Sequence, residues 1–273
     1  MLDRRRFLGM LCPCAIAAAP RGVFAAIADI PSQGLPQALE LGVEPMTRLS
    51  STVWVARIAQ GLWLHTTTWP VSRGFYYPAN GLIMERPGGA LMIDTTWSPD
   101  QADVLLDWSR RTLSAPISSA VATHFHLDRT GGIPALKRRG VSVLALPLTC
   151  QLARAHHLPV PAPIPGLATG PQKFGPDCEL YFPGGGHTRD NIVAWLPRQR
   201  TLFGGGLVRS ITSISLGDAS DAAVSSWADS IRNVQARYPR PRMVVPAFGT
   251  IAGDPIAHTL TLLARSGAVR PPP

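Results

Sequence analysis

Cysteine is scarce in this chain, four among 273 residues, and two of the four, Cys12 and Cys14, fall in the first fourteen positions. A small scaffold stapled by many disulfides is therefore excluded. Cys150 and Cys178 remain, either to pair in an oxidising compartment or to sit apart as small buried hydrophobes. Acidic residues are also in short supply, 17 against 26 lysines and arginines, and the formal charge is +9. That sign would suit nucleic acid, yet the basic residues are scattered, no run interleaves them with aromatics and no nucleic-acid motif is present, so no nucleic-acid partner is expected. Internal repeats and coiled-coil heptads are lacking too, which leaves a monomer as the default. Length and ordinary apolar content fit one large catalytic domain.

What is present begins with "MLDRRRFLGMLCPCAIAAAPRGVFAA": three arginines, a short apolar run and a small-residue site at Val23-Phe24-Ala25. This is the order of an export leader, too short to persist as a spanning helix, so no stable membrane insertion is expected once it is removed. Arg4-Arg5-Arg6-Phe7-Leu8 resembles the twin-arginine type of signal, with Asp3 where Ser or Thr usually stands. Cleavage near Ala25 would release residues 26–273 into the periplasm as a single domain. It removes four arginines and one aspartate and lowers the charge to +6.

Along that domain, alternation in "TVWVARIAQGLWLHTTT" and "NGLIMERPGGALMIDTTW" predicts antiparallel strands, with Pro87-Gly88-Gly89 as a hairpin turn. Ser98 then caps a helix that has Pro99 at its first position. The strand "ISSAVAT", the helix "GIPALKRRG" closed by Gly140, and the strand "VSVLAL" follow. A proline- and glycine-rich connection over 159–176 separates a second half, in which "CELYFPGGGHTRDNIVAWLP", "QRTLFGGGLVRS" and "RMVVPAF" read as strands. In that half "DAAVSSWADSIRNVQARY" and "PIAHTLTLLARS" read as helices. Two halves of strands followed by helices imply an α/β sandwich with two sheets inside and helices outside.

The chemistry gathers at "THFHLDRTGG", where His124, His126 and Asp128 occupy alternate positions at the mouth of a strand. Histidines two apart on extended backbone point to one side, and a distant third, His187 in "YFPGGGHTRDN", can complete a three-histidine face. Such a face suits zinc with its fourth position open for water, which ionises near neutral pH and attacks a carbonyl. His65, His156, His157 and His258 stand alone and are read as packing or surface residues.

"HFHLDRTGG", "YFPGGGHTRDNIVAWLP", "LFGGGLVRS" and "MVVPAFG" resemble, in order, the signatures of the metallo-β-lactamases, in particular their broad-spectrum di-zinc subclass. The resemblance spans nearly the whole mature chain and implies a four-layer αβ/βα sandwich with the site in a groove at one edge of the two sheets. It assigns His124, His126 and His187 to the first zinc, Asp128 to the second, and to Asp94 the bracing of the metal loop. The cysteine and histidine that complete the second site are here Gly206 and Phe248, neither of which can coordinate. One zinc is therefore expected, with Asp128 freed to orient or deprotonate the attacking water. Arg209 is placed to grip a substrate carboxylate, and Arg129 or Arg209 to supply the charge that a second metal would bring. Asn191, Trp69 and Ser215 are placed with the substrate-binding residues: Trp69 with Phe75 and Tyr76 in a hairpin over the groove, Ser215 where the family often has an asparagine. The implied activity is opening of the β-lactam amide. A hydrolase of another ester, lactone or thioester and a catalytically weakened zinc-binding homologue are the alternatives.

Overall fold

The computed structural model describes residues 45–72 and 75–267; the leader expected over residues 1–25 lies outside the described residues. The chain opens with β1 (Met46–Ser50), β2 (Val53–Ala59), β3 (Leu62–Ser72), β4 (Phe75–Met84) and β5 (Ala90–Ile93). These pair antiparallel in sequence order. The β4–β5 connection is the expected turn, with Gly88 and Gly89 at φ 81° and 136°. From there the chain alternates: α1 (Pro99–Thr112), β6 (Ile117–Ala122), α2 (Leu127–Thr130), α3 (Ile133–Arg138), β7 (Ser142–Ala145), α4 (Pro147–Ala155) and β8 (Ala162–Pro163). β5 through β8 pair parallel, so the first sheet has eight strands in sequence order.

The second half contributes β9 (Gln172–Lys173), β10 (Glu179–Tyr181), β11 (Val193–Leu196), β12 (Thr201–Gly205), α5 (Val224–Arg237), β13 (Met243–Pro246) and α6 (Pro255–Arg265). Its sheet runs β13-β12-β11-β10-β9, with β12 and β13 parallel. Local signals set the helix starts: Ser98 Oγ accepts from Gln101 N at 3.5 Å, and Asp254 Oδ1 accepts from Ala257 N at 3.0 Å. Helix α3 ends as its sequence implies, with Gly140 at φ 74° and Val141 N donating to Leu136 O at 2.9 Å.

Strand alternation sorts the apolar residues into layers. Leu64, Leu82, Leu91, Ile93 and Val121 of the first sheet meet Leu180, Ala194, Phe203 and Val245 of the second in the central core. On the outer face of the first sheet Val55, Ile83, Met92 and Ala120 pack under Leu105, Leu106 and Leu136. On the outer face of the second, Val193, Leu202 and Val244 pack under Trp227, Ile231, Val234 and Leu263. Each fully buried Leu or Ile contributes about 1.5–3 kcal/mol, so the apolar pattern fixes the four layers. Cys150 and Cys178 are buried, free and apart; both thiols are pushed up by burial, Cys178 to about 12.

Candidate metal centre

The strands deliver their site residues at one end of the sandwich. β5 hands the chain to Asp94 and β6 to Thr123 and His124, while β12 runs into Gly206 and β13 into Phe248. His187 enters from the loop before β11, where close packing demands glycine: a Cβ on Gly186 would lie 2.4 Å from Leu207 Cδ1 and 3.0 Å from Trp227 Cδ1. Trp227 is fully buried and its Nε1 donates to Leu207 O at 2.8 Å, which ties α5 to the loop after β12.

His124, His126 and His187 converge, each offering a nitrogen within 4.8 Å of the others. The rings stand nearly perpendicular, with centroids 4.9–5.2 Å apart. Burial first, then the neighbouring histidines and arginines, holds His124 and His187 well below the ordinary imidazole range, so both are neutral. Neutral imidazoles are metal ligands.

Two carboxylates set the tautomers. Asp94 is wholly buried; its Oδ1 accepts from Thr123 N at 2.7 Å and its Oδ2 from Thr123 Oγ1 at 2.9 Å. Thr123 spends its proton on Asp94, so the 3.3 Å contact between its oxygen and His124 Nδ1 requires that Nδ1 donate. The lone pair of His124 is then on Nε2, a buried atom with no hydrogen-bond partner. On the other side His126 Nε2 donates to Asp221 Oδ2 at 2.9 Å, which leaves Nδ1 as its ligand atom. The His126 bond holds the Asp221 carboxyl below its ordinary value. A buried, unpartnered imidazole nitrogen beside two other converging imidazoles fits a zinc ion, with Zn–N bonds of about 2.0–2.1 Å.

Gly206 and Phe248 make the place beside this face unlike a metal site. A Cβ on Gly206 would lie 2.5 Å from His187 Cδ2 and 3.0 Å from His124 Cε1, so the imidazoles occupy the space a side chain there would need. The Phe248 ring packs on Tyr77, with centroids 4.8 Å apart, and carries the guanidiniums of Arg129 and Arg209 at 5.1 and 6.0 Å from its centre.

Asp128 is 3 % exposed, and its Oδ2 lies 2.6 Å from Arg129 Nη2. Arg129 also donates Nη1 to Asp94 Oδ2 at 3.0 Å and to Asn80 O at 2.6 Å. One buried guanidinium therefore joins the carboxylate of the metal loop to the carboxylate beneath it. Asp94 is pushed up to about 6 by burial, opposed by Arg129. It sits at φ 60°, a strained left-handed conformation for a non-glycine residue.

The remaining sequence-assigned residues divide. Arg209 is 3 % exposed; its backbone N donates to Thr259 Oγ1 at 2.8 Å, and its charge helps keep His187 neutral. Trp69 stacks on Trp97 at 6.1 Å, in an aromatic cluster with Tyr77 and partly buried Phe248. Ser215 is exposed in the loop after β12, its Oγ accepting from Gly217 N at 3.0 Å. The assignment of Asn191 to substrate is corrected. Its side chain is fully buried, accepts from Thr188 N at 2.8 Å and donates to Gly184 O at 3.3 Å, so it closes the turn that carries His187. Asp221 was missed, because it lies 95 residues from His126 with no motif to join them.

A profile of the metallo-beta-lactamase superfamily matches residues 76–249. The chain is 36% identical over 217 residues to the metallo-beta-lactamase type 2 of Bacillus cereus, covering 78% of this chain and 84% of that one. It is 31% identical over 213 residues to the Bacteroides fragilis protein of the same name, covering 78% and 86%. Among solved structures, a metallo-beta-lactamase from Erythrobacter litoralis superposes with TM-score 0.76 at 31% identity over 81% of this chain and all of that chain. One from Pseudomonas aeruginosa in its mono-zinc form gives 0.75 at 32% identity, over 80% and 97%.

Proposed function

Since the chain belongs to the metallo-beta-lactamase superfamily, as a β-lactamase-type metal-dependent hydrolase, we propose that it is an exported, monomeric periplasmic enzyme that opens the amide of β-lactams with one zinc. The observation that carries this reading is the three-imidazole face, with His124 and His187 neutral, His124 oriented by Asp94 through Thr123 and His126 by Asp221, beside a place filled by Gly206 and Phe248. The solved relative from Pseudomonas aeruginosa in a mono-zinc form supports it, since that scaffold accommodates one ion.

When bound to His124, His126 and His187, zinc supplies Lewis acidity toward water and the substrate carbonyl. The chain's own groups do the rest. Asp128, held by Arg129, takes the proton of the attacking water and returns it to the departing nitrogen. Arg129 balances Asp94 and Asp128 where a second metal would bring charge, and Arg209 directs positive potential toward the substrate carboxylate. To the substrate Trp69 offers an apolar face and Ser215 a hydroxyl.

The test combines zinc counting with turnover. Purified mature protein should saturate tightly at one zinc per chain and hydrolyse at least one of a penicillin, a cephalosporin and a carbapenem, with activity lost to a chelator. Tight saturation at two equivalents would overturn the one-metal reading. Zinc-loaded protein inert to all three lactams but active on an ester or lactone would overturn the substrate.

A further inference from the structure

The end of the sandwich opposite the metal centre carries a collection of arginines that the sequence disperses. β12 and β13 run parallel toward the histidines, so their starting residues lie at the far end, as do the end of β11 and the turn after it. That end presents Arg198, Arg200, Arg240 and Arg242, all exposed. Three of them are joined directly: Arg242 N donates to Arg200 O at 2.7 Å, and Arg200 Nη2 donates to Arg240 O at 2.5 Å, while Arg198 stands two residues before Arg200. Helix α1 descends to the same end, where Ala90 N meets Pro116 O at 2.9 Å, and adds exposed Arg110 and Arg111.

Two carboxylates at this end are engaged away from these arginines: Glu179 accepts from Arg237 Nε at 2.8 Å, and Glu85 from Trp63 Nε1 at 2.9 Å and Ser114 Oγ at 3.1 Å. Asp177 approaches Arg198 at 3.5 Å. Among the described residues none lies within 4.0 Å of Arg200, Arg240, Arg242, Arg110 or Arg111. Asp94, Asp128, Asp190 and Asp221 are instead gathered by the histidines at the other end. Basic residues in a last helical turn complement the helix dipole, which accounts for Arg110 and Arg111. It does not account for four arginines at strand ends.

We propose that this arginine face docks the enzyme on an anionic phospholipid surface, with the metal groove turned away toward substrate. The arginines sit on turns, beside a strand start and at one helix end, which suits a plane of phosphates rather than a groove entered by a helix or ribbon. Among the described residues the large exposed apolar side chains, Ile211 and Ile214, lie on the loop after β12 at the metal end, so the docking proposed for this face is electrostatic. The inference is independent of the proposed substrate.

The experiment is co-sedimentation of the zinc-loaded chain with vesicles containing phosphatidylglycerol and with vesicles of phosphatidylcholine alone. Binding should appear on the anionic vesicles at about 50 mM salt, vanish near about 500 mM as the Debye length contracts, and be absent on the neutral ones. Each arginine near the surface contributes about fivefold, so Arg198→Gln/Arg240→Gln/Arg242→Gln should weaken partitioning about 100-fold. Arg48→Gln/Arg154→Gln/Arg189→Gln removes the same charge from outside this face and should weaken it far less. Circular dichroism would check that both variants keep the parent fold. Equal losses in the two variants, no binding to anionic vesicles at low salt, or tighter binding to duplex DNA than to vesicles would each overturn the proposal.

Discussion

At the scale of single residues, the face of three histidines depends on groups that touch no metal. Asp221 orients His126 through a 2.9 Å bond from Nε2, and partners of this kind commonly contribute about 10–100-fold in metal affinity. Asp221→Ala is expected to weaken zinc binding by that margin in a competition titration, with the far-ultraviolet spectrum unchanged; unaltered affinity would reduce Asp221 to a surface contact. Asp128 is separable from binding. Asp128→Asn keeps the shape of the residue and leaves Arg129 paired with Asp94, so zinc should stay bound while turnover falls about 100-fold or more. Equal turnover in that variant would remove Asp128 from the chemistry. The histidines were legible because two-residue spacing at a strand mouth is a local signal. Asp221 was not, because only the fold brings it to His126, and Asn191 misled because a buried turn brace and a substrate contact look alike in a sequence.

At the scale of elements, the strands were legible wherever apolar residues alternate, as in β3, β4 and β5, whose inward side chains fill the central core. The short helix α4 escaped: it has no side-chain cap at its start and nine residues, too few to display a helical period against the strand before it. A less visible dependence lies in the β3–β4 ribbon. His65 of β3 is 1 % exposed, its Nε2 contacts Asp94 O at 3.2 Å, and its ring covers Gly81, where a Cβ would lie 2.2 Å from Nε2. Burial, then the charge of Arg129, lowers its pKa to about 3; it faces that guanidinium across Asp94. The folded protein therefore keeps His65 neutral, whereas the unfolded chain takes up a proton below the ordinary value of 6.5. This contribution to stability is complete above pH 6.5 and is lost progressively as pH falls toward 3. Between pH 6.5 and about 5 the loss is about 2 kcal/mol. Urea unfolding across that interval should show a steeper fall for the parent than for His65→Gln, and parallel slopes would mean that His65 is protonated in the folded state.

At the scale of the molecule, the three converging histidines straddle the two halves. His124 and His126 follow the last residues of β6 in the eight-stranded sheet, and His187 precedes β11 in the five-stranded one. The layered sandwich was legible because each half repeats strands followed by helices. The joining of the halves at one edge was legible only through the resemblance, since no pattern within either half specifies which ends meet. A ligand set shared between two halves makes the metal a clamp: zinc binds the folded arrangement and finds no such face in the unfolded chain. Free zinc at about a thousandfold above its dissociation constant then adds about 4 kcal/mol, or roughly 10 °C in Tm for a domain of this size. Scanning calorimetry of zinc-loaded and chelated protein should show that difference. Asp221→Ala, with its weaker metal, should show about one-third to two-thirds of it at the same free zinc. A chelated protein that melts at the loaded temperature would mean that the β-sheet core alone holds the halves together, and that the histidine face is organised before any metal arrives.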